Sequence, residues 1–215
     1  MQLVAHAALQ RLIDHLVLLH PSFALELCGD YVGGVGLIDD AARSVSLALK
    51  RPGNALVLIG ATEGHLGASL YLREIAGSED GAPPPVDLTA ERRHGDFVRG
   101  EIGAGGIAAC HDLGDGGLRL AVAEMAMAGD IGAEITLPPG IPPHAAAFGE
   151  DQARYILETT DGAGVIAQAN ALGIPALLVG HVGGDALTVT RVGAISTQEL
   201  KRIHEAWLPE FMAAP

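Results

Sequence analysis

The residues best suited to chemistry lie in one Gly-rich run, HDLGDGGL at residues 111–118. The sequence predicts a strand before this run and a helix after it. A turn of this kind directs backbone N–H groups to one point, where the helix N-terminus adds about half a positive charge. We therefore predict an anion site that suits a phosphate. The residues of this predicted site are Asp112, Gly114, Asp115, Gly116 and Gly117.

The same run allows two other interpretations. The glycines can simply form a tight turn, with Asp115 as the cap of the following helix. His111 and Asp112 can also form an acid–base pair. Because adjacent residues that leave a strand point in opposite directions, we expect at most one of the two to face the site.

A second candidate run is GEDQARY at residues 149–155, which holds three charges and an amide. Arg154 has the planar fork that holds a phosphate or a carboxylate, and Glu150 is a candidate ligand for a cation. Gln152 lies between them and joins Arg154 in the predicted phosphate-binding set. The alternative is a solvated loop with an internal ion pair.

A third run, GAGVIA at residues 162–167, matches the G-x-G-x-x-A pattern of dinucleotide-binding turns. Asp185 follows Gly164 by 21 residues, as that pattern requires. The pattern belongs at the start of a series of βαβ units, however, and only about 50 residues remain after it. We therefore interpret the small residues as a packing feature. The sequence contains no Walker, G-x-S-x-G or H-E-x-x-H motif.

These runs need a framework of helices and strands that alternate along the chain. Apolar spacing predicts helices at residues 3–19, 65–75, 87–101, 118–128 and 164–172, and strands at 31–39, 55–60, 107–110, 133–137, 154–159, 175–180 and 186–192. Residues 77–85 and 138–143 are predicted to be loops because they are rich in Gly and Pro. A last helix is expected to begin at Ser196, where Glu199 completes a capping box. This order favours a mixed sheet with helices packed on it.

Composition limits the function. The chain has 215 residues, with 13 Lys and Arg against 26 Asp and Glu, which gives a net charge of −13. Such a charge repels nucleic acids and anionic membranes, so we expect neither as a partner. Cys28 and Cys110 lack metal-site spacing and are expected to be buried thiols in a reducing compartment. Charged and polar residues interrupt the apolar stretch at residues 3–19, which argues against a membrane span.

Several of these runs together resemble the C-terminal, aminoimidazole-ribonucleotide-synthetase-related part of the phosphoribosylformylglycinamidine synthase family. The match extends from about residue 31 to the end of the chain. The matching runs are GGVGLIDD (33–40), KRPGNALVLIGAT (50–62), HLGASLYLREIAG (65–77), GAPPPVDLTAERRHGDFVR (81–99), HDLGDGGLRLAVAEMAMAGDIGAEI (111–135), FGEDQARY (148–155) and the helix that ends in Trp-Leu-Pro (207–209).

The resemblance implies an α+β fold, with a mixed β-sheet flanked by helices and a partly ferredoxin-like topology. It also implies an ATP-dependent carbon–nitrogen ligase of purine biosynthesis. In that reaction formylglycinamide ribonucleotide, ATP and glutamine-derived ammonia give formylglycinamidine ribonucleotide, ADP and phosphate. ATP and Mg²⁺ serve the full enzyme, and we expect neither to bind tightly to this chain alone.

The resemblance further implies partners and a location. The partners are the remaining synthetase domains, a glutaminase subunit and a small accessory subunit, all in the cytoplasm. Because residues 1–27 do not match the family, we expect a helical N-terminal segment at 1–27 and one synthetase-type domain at 28–215. The isolated chain is expected to form a homo-oligomer and to be inactive without the ATP-binding domain.

Two departures from the family keep alternatives open. Relatives usually carry Ser where this chain has Gly114, and many carry Glu where it has Leu70. The first alternative is therefore a structural, nucleotide-binding half without catalytic activity. The second is a sister enzyme, either aminoimidazole ribonucleotide synthetase or selenophosphate synthetase, although the FGEDQAR run argues against both.

Overall fold

The computed structural model describes residues 24–28, 31–35 and 40–213, which fall into two compact units divided between Ser44 and Val45. In the first unit, β1 (Ala24–Cys28) and β2 (Tyr31–Val35) pair as an antiparallel hairpin. A 3₁₀ turn at Ala41–Arg43 follows, with Asp40 as its N-cap. The predicted helix at residues 3–19 lies outside the described residues. That helix and the domain boundary at residue 27 therefore stay predictions.

The second unit is built on a mixed sheet of seven strands, in the spatial order β4–β6–β3–β7–β5–β8–β9. Neighbouring strands are antiparallel except β5 and β8, which are parallel. The strands are β3 (Ala55–Ile59), β4 (Ile107–Asp112), β5 (Ala133–Ile135), β6 (Tyr155–Thr159), β7 (Ala176–Val182), β8 (Ala186–Val189) and β9 (Gly193–Ser196).

Helices cover both faces of this sheet. They are α1 (Leu88–Ala104), α2 (Gly117–Gly129), α3 (Pro143–Phe148), α4 (Gly162–Ala171) and α5 (Thr197–Ala213). Hydrophobic residues of α2 and α5 pack on one face, and those of α1 and α4 pack on the other. The predicted mixed sheet flanked by helices is confirmed, while the ferredoxin-like detail stays a prediction. Among the described residues, no helix is long and apolar enough to cross a membrane.

Strand β3 shows why the core has two sides. Its side chains alternate, so that Leu56 and Leu58 enter the cluster under α2, whereas Val57 and Ile59 enter the cluster under α1 and α4. All four are at most 2% exposed. This short strand of consecutive apolar residues is therefore buried on both faces.

Two predicted elements differ from the structure, and two strands are additional to the prediction. The predicted helix at residues 65–75 is wrong in its first part, because the assigned helical segment there is a π-helical turn at Leu72–Ala76. The predicted Pro-rich loop ends in α3, whose first residue is Pro143, a position where proline suits a helix. Strands β1 and β9 were not predicted. Most other strands and helices lie within a few residues of their expected positions.

The start of α5 confirms part of the predicted capping box. The Ser196 hydroxyl accepts a hydrogen bond from the Glu199 N–H at 3.1 Å. The Glu199 carboxylate does not close the box, because it pairs with the Arg202 guanidinium at 2.7 and 2.8 Å.

Candidate functional site

The candidate site lies at one end of the sheet, where three chain segments meet. Tyr155, the first residue of β6, pairs with Ile59 of β3 on one side and with Asp112 of β4 on the other. Strands β3 and β4 are both antiparallel to β6, so they both end where β6 begins. The segments that follow β3 and β4 and precede β6 therefore converge. We call them loop 61–70, the Gly-rich turn (residues 113–117) and loop 149–154.

Glu150 joins all three segments. One oxygen of its carboxylate, Oε1, accepts hydrogen bonds from the Leu70 N–H and from the Gly116 N–H, both at 2.8 Å. The backbone N–H of Glu150 donates to the His65 carbonyl at 2.9 Å. The residue is 8% exposed. The Glu150 carboxylate thus binds the Gly116 N–H, which we predicted from the sequence to bind an external phosphate.

The Gly-rich turn packs closely against loop 149–154. Gly116 and Gly117 have φ values of 75° and 63°, and Gly116 is the N-cap of α2. A Cβ on Gly117 would lie 2.5 Å from the Gly149 carbonyl oxygen. Glycine is therefore needed there both for its backbone angle and for contact between the two predicted motifs. Asp115 is exposed, and the alternative that it caps the helix is wrong.

Arg154 is fully buried, and its guanidinium is engaged inside the protein. Nε donates to the Asp151 carbonyl at 3.0 Å, and Nη2 donates to the Gly149 carbonyl at 2.5 Å. Nη1 donates to the Thr62 hydroxyl at 3.2 Å and lies 3.6 Å from the Asp151 carboxylate. Burial lowers the pKa of Arg154, while Asp151 and Glu150 oppose that effect. The internal ion pair of the alternative interpretation is therefore present, but its solvated loop is wrong, because Glu150, Asp151 and Arg154 are buried. A phosphate would have to displace these contacts.

Asp151 connects two segments of the candidate site, and the sequence did not indicate this contact. Its two carboxylate oxygens accept hydrogen bonds from three consecutive N–H groups, those of Glu63, Gly64 and His65, at 3.0 to 3.2 Å. These bonds tie the start of loop 61–70 to loop 149–154. The available signal was Arg154 itself, because a buried guanidinium requires a carboxylate nearby.

His111 lies between two carboxylates beside the turn. Its Nδ1 is 3.2 Å from Asp112 Oδ1, and its Nε2 is 2.8 Å from Glu124 Oε2 on α2. The hydrogen bond with Asp112, helped by the one with Glu124, raises the pKa of His111 although burial opposes it. The same bond with His111 lowers the pKa of Asp112. This arrangement can hold and exchange a proton, and Glu124 is a member that the sequence did not indicate.

The remaining predicted residues lie at the edge of this arrangement. Gln152 is exposed, and its amide nitrogen donates to the Glu150 carbonyl at 3.2 Å. Gly114 is also exposed, and its carbonyl accepts the Gly117 N–H at 3.2 Å. The structure thus places the Gly-rich turn against loop 149–154, while phosphate binding by the predicted set stays a prediction.

A magnesium site does not fit these residues. Glu150 was the predicted ligand, but its carboxylate holds two backbone N–H groups. Across the part of the chain that the structure describes, no three His, Cys, Asp or Glu side chains are grouped so as to hold a metal ion.

The run at residues 162–167 has the packing geometry that we inferred for it. A Cβ on Gly162 would lie 2.8 Å from the Cβ of Ala55, so the helix packs closely on β3. The N-terminus of α4 is capped by Asp161, which accepts the Gly164 N–H at 2.8 Å. Strands β6 and β7, which this helix connects, are separated by β3. A dinucleotide-binding turn instead connects adjacent parallel strands in its usual form.

Comparisons with known proteins agree on one family. Residues 51–192 match the family model described as AIR synthase related protein, C-terminal domain. The phosphoribosylformylglycinamidine synthase subunit PurL of Acidiphilium cryptum is 57% identical over 183 residues, which is 85% of this chain and 25% of that protein. This chain thus spans about a quarter of the length of the curated relatives it matches.

Solved structures show the same fold. Thermotoga maritima PurL complexed with FGAR has a TM-score of 0.65 and 22% sequence identity, over 79% of this chain and 30% of that one. The structure of PurLQS from the same organism gives a TM-score of 0.62 and 20% identity, over 79% of this chain and 29% of that one.

Proposed function

The chain belongs to the AIR synthase related family as its C-terminal domain, and on that premise we propose that it works within a phosphoribosylformylglycinamidine synthase. That enzyme is an ATP-dependent ligase of purine biosynthesis. Support comes from the identity of 57% to a PurL subunit. Since the chain spans a quarter of such a subunit, we propose that turnover needs the other three quarters, supplied in the same polypeptide or separately.

The reaction replaces an amide oxygen by nitrogen. The γ-phosphoryl group of ATP is transferred to the amide oxygen of formylglycinamide ribonucleotide, which leaves ADP. Ammonia from glutamine then attacks the activated carbon, and the C–O bond breaks to release phosphate and form the amidine. In these two reaction steps, the substrates and products other than ammonia all carry phosphate groups, so the enzyme needs preformed anion sites.

The observation that carries the proposal is the Gly116 N–H, held 2.8 Å from the Glu150 carboxylate at the N-terminus of α2. This N–H group already binds an anion at a helix N-terminus, so a phosphate oxygen would bind there by replacing the Glu150 oxygen. We propose that a substrate phosphate contacts the Gly-rich turn, with Asp112, Gly114, Asp115, Gly116 and Gly117 around it. Gln152 and Arg154 would support it from loop 149–154.

Partners and location follow from the same family. The PurLQS structure of Thermotoga maritima is, by its name, an assembly that contains PurL. We propose that this chain acts with the remaining synthetase domains, a glutaminase subunit and a small accessory subunit in the cytoplasm, with ATP and Mg²⁺ bound elsewhere in the enzyme.

Titration with phosphate tests the proposal. Inorganic phosphate and formylglycinamide ribonucleotide are added separately to the ¹⁵N-labelled chain, and backbone amide shifts are followed. We expect saturable shifts at residues 114–118 in the millimolar range, stronger in Glu150→Gln because that change removes a competing charge. Shifts confined to other residues, in the original chain and in Glu150→Gln alike, would exclude the phosphate site.

A second candidate function is favoured by the same contact. Since Glu150 fills the turn and Gly114 replaces the usual Ser, the domain can be a structural, nucleotide-binding half without catalytic activity. In that case the full synthetase that carries Gly116→Ala or Glu150→Gln keeps its rate of ammonia-dependent ADP release. A loss of that rate in a folded variant supports the phosphate-binding function instead.

A further inference from the structure

A cavity of about 490 Å³ lies at the end of the sheet opposite the candidate site. It is formed where β3 and β4 begin and β6 ends, and Asn54, Ile107 and Thr160 are among the residues that line it. We call it the β3–β4 cavity. Its volume falls in the range of roughly 300–1,000 Å³ that is usual for small-ligand sites. The candidate phosphate site lies where β3 and β4 end, so the two sites are separate.

Asn54 is the buried polar side chain of this cavity, and it is 6% exposed. Its Nδ2 donates to the Glu158 carboxylate at 2.7 Å, which fixes the orientation of the amide and turns Oδ1 away from Glu158. Oδ1 has no hydrogen-bond partner among the described residues. In that part of the chain, His94 Nε2 is the only unpartnered polar atom of a buried side chain that solvent cannot reach. Asn54 Oδ1 is therefore an accessible acceptor on the cavity wall.

The Glu158 carboxylate behind Asn54 holds this wall in place. It is fully buried and also accepts the Lys50 N–H at 2.8 Å and the Arg51 N–H at 2.9 Å. The turn from Lys50 to Asn54 thus wraps around one carboxylate. The Asn54 amide is rigid as a result, and the Lys50 and Arg51 side chains extend from a fixed backbone.

Lys50 and Arg51 supply positive charge to the cavity. Lys50 Nζ donates to the Ser46 hydroxyl at 2.8 Å, and neither cation forms a salt bridge among the described residues. Cations without a carboxylate partner are notable in a chain whose net charge is −13. No Asp or Glu is among the described residues that line the cavity. Both side chains can therefore bind the carboxylate of a ligand.

The C-terminal end of α1 supplies the opposite charge. Gly105 is the C-cap of this helix, and both Gly105 and Gly106 line the cavity. The carbonyl end of a helix carries about half a negative charge. The Glu101 carboxylate adds to it, because its Oε2 would lie 3.8 Å from a Cβ on Gly106. Together with Asn54 Oδ1, this end of α1 favours a positively charged group that carries N–H donors.

We propose that the β3–β4 cavity binds a small free amino acid, whose carboxylate pairs with Lys50 and Arg51 and whose ammonium group donates to Asn54 Oδ1. An α-amino acid carries both charges on one carbon atom. A simple anion would meet the negative end of α1, and a simple cation would meet Lys50 and Arg51, so the cavity selects the zwitterion. This inference does not depend on the proposed synthetase function.

The test uses the whole ¹⁵N-labelled chain with L-alanine as the probe near pH 7.5. NMR follows the side-chain amide of Asn54 and the backbone amides of Gly105 and Gly106 during titration. Sodium propionate lacks the ammonium group, and ethylammonium chloride lacks the carboxylate. We expect saturable shifts with alanine in the millimolar range, and binding of the other two probes weaker by at least about fivefold. No saturation with alanine, or equal affinity for propionate or ethylammonium, would overturn the proposal.

Variants locate the binding. Arg51→Gln removes an exposed cation, and we expect it to weaken alanine binding by about fivefold or more. Asn54→Leu keeps the size of the side chain but removes the acceptor, with an expected loss of about tenfold. Arg92→Gln, which is exposed on α1 and outside the cavity, is the matched control and should bind as the original chain does. If Asn54→Leu does not fold, equal affinities of Arg51→Gln and Arg92→Gln still refute the site.

Discussion

The Glu150 carboxylate lies 2.8 Å from the Gly116 N–H, at the point where the sequence predicted a bound phosphate. The same oxygen also accepts the Leu70 N–H at 2.8 Å. One buried carboxylate thereby fixes two loops that come from different parts of the chain. The Gly-rich turn keeps its shape without an external anion, and this has measurable consequences.

Glu150→Ala should destabilise the protein strongly, because it leaves two backbone N–H groups without their acceptor. We expect the free energy of unfolding to fall by about 2–4 kcal/mol. Glu150→Gln keeps an accepting oxygen and should lose less. Urea unfolding followed by circular dichroism measures both, with the exposed Glu205→Ala as a control near zero. A loss for Glu150→Ala no larger than that of Glu205→Ala would contradict the role of the carboxylate.

Gly117→Ala tests the contact between the turn and loop 149–154. The added Cβ would meet the Gly149 carbonyl oxygen at 2.5 Å and would require a φ of 63°. We expect a loss on the order of 2 kcal/mol or more. Gly100→Ala is a useful contrast, since Gly100 lies within α1 and a Cβ added there would have no described atom within 4 Å. For that variant we expect a gain of roughly 0.5–1 kcal/mol from helix propensity.

The cluster around His111 predicts a pH dependence with a definite sign. The folded state raises the pKa of His111 above its ordinary value of 6.5. Protonated His111 therefore stabilises the fold fully below pH 6.5, and this contribution is lost as the pH rises through the folded-state pKa. The difference in unfolding free energy between the original chain and His111→Gln should be larger at pH 5.5 than at pH 8.5. A difference that grows with pH would contradict this assignment.

Cys110 should react slowly with thiol reagents. Burial, with a smaller contribution from Asp112, raises the pKa of its thiol to about 12. The thiolate is the reactive form, so almost none is present at pH 8. In a Cys28→Ser background, alkylation by iodoacetamide should be at least tenfold slower than for the same chain unfolded in urea. Equal rates in the folded and unfolded chain would show that the thiol is accessible and ionised.

Local patterns in the sequence predicted the strand, turn and helix from Ile107 to Gly129 because each signal there is local. Apolar residues mark β4 and α2, and glycine is needed for the positive φ of the turn. The helix expected from residue 65 failed for a non-local reason. Contacts with distant residues hold this segment instead: Asp151, 86 residues away, accepts the His65 N–H, and the His65 carbonyl accepts the Glu150 N–H.

The sequence predicted residues of the Gly-rich turn and of loop 149–154 as the candidate site, but not which side chains and backbone groups contact one another there. The sequence identified Glu150 and Arg154 as candidate site residues. Whether their side chains face a bound ligand or contact neighbouring loops depends on how β3, β4 and β6 align. That alignment brings Tyr155 beside both Ile59 and Asp112. A side chain such as Glu124, which lies on a helix, could not be assigned to a site before the packing of that helix was known.

The alignment of the strands on either side of Tyr155 also affects how the protein folds. Glu150 is 80 residues from Leu70 and 34 from Gly116, so its two bonds close long loops and form only when the centre of the sheet has assembled. Interactions that form after the transition state affect mainly the unfolding rate. Glu150→Gln should therefore unfold faster while its refolding rate stays almost the same, which makes this carboxylate a determinant of how long the native state persists.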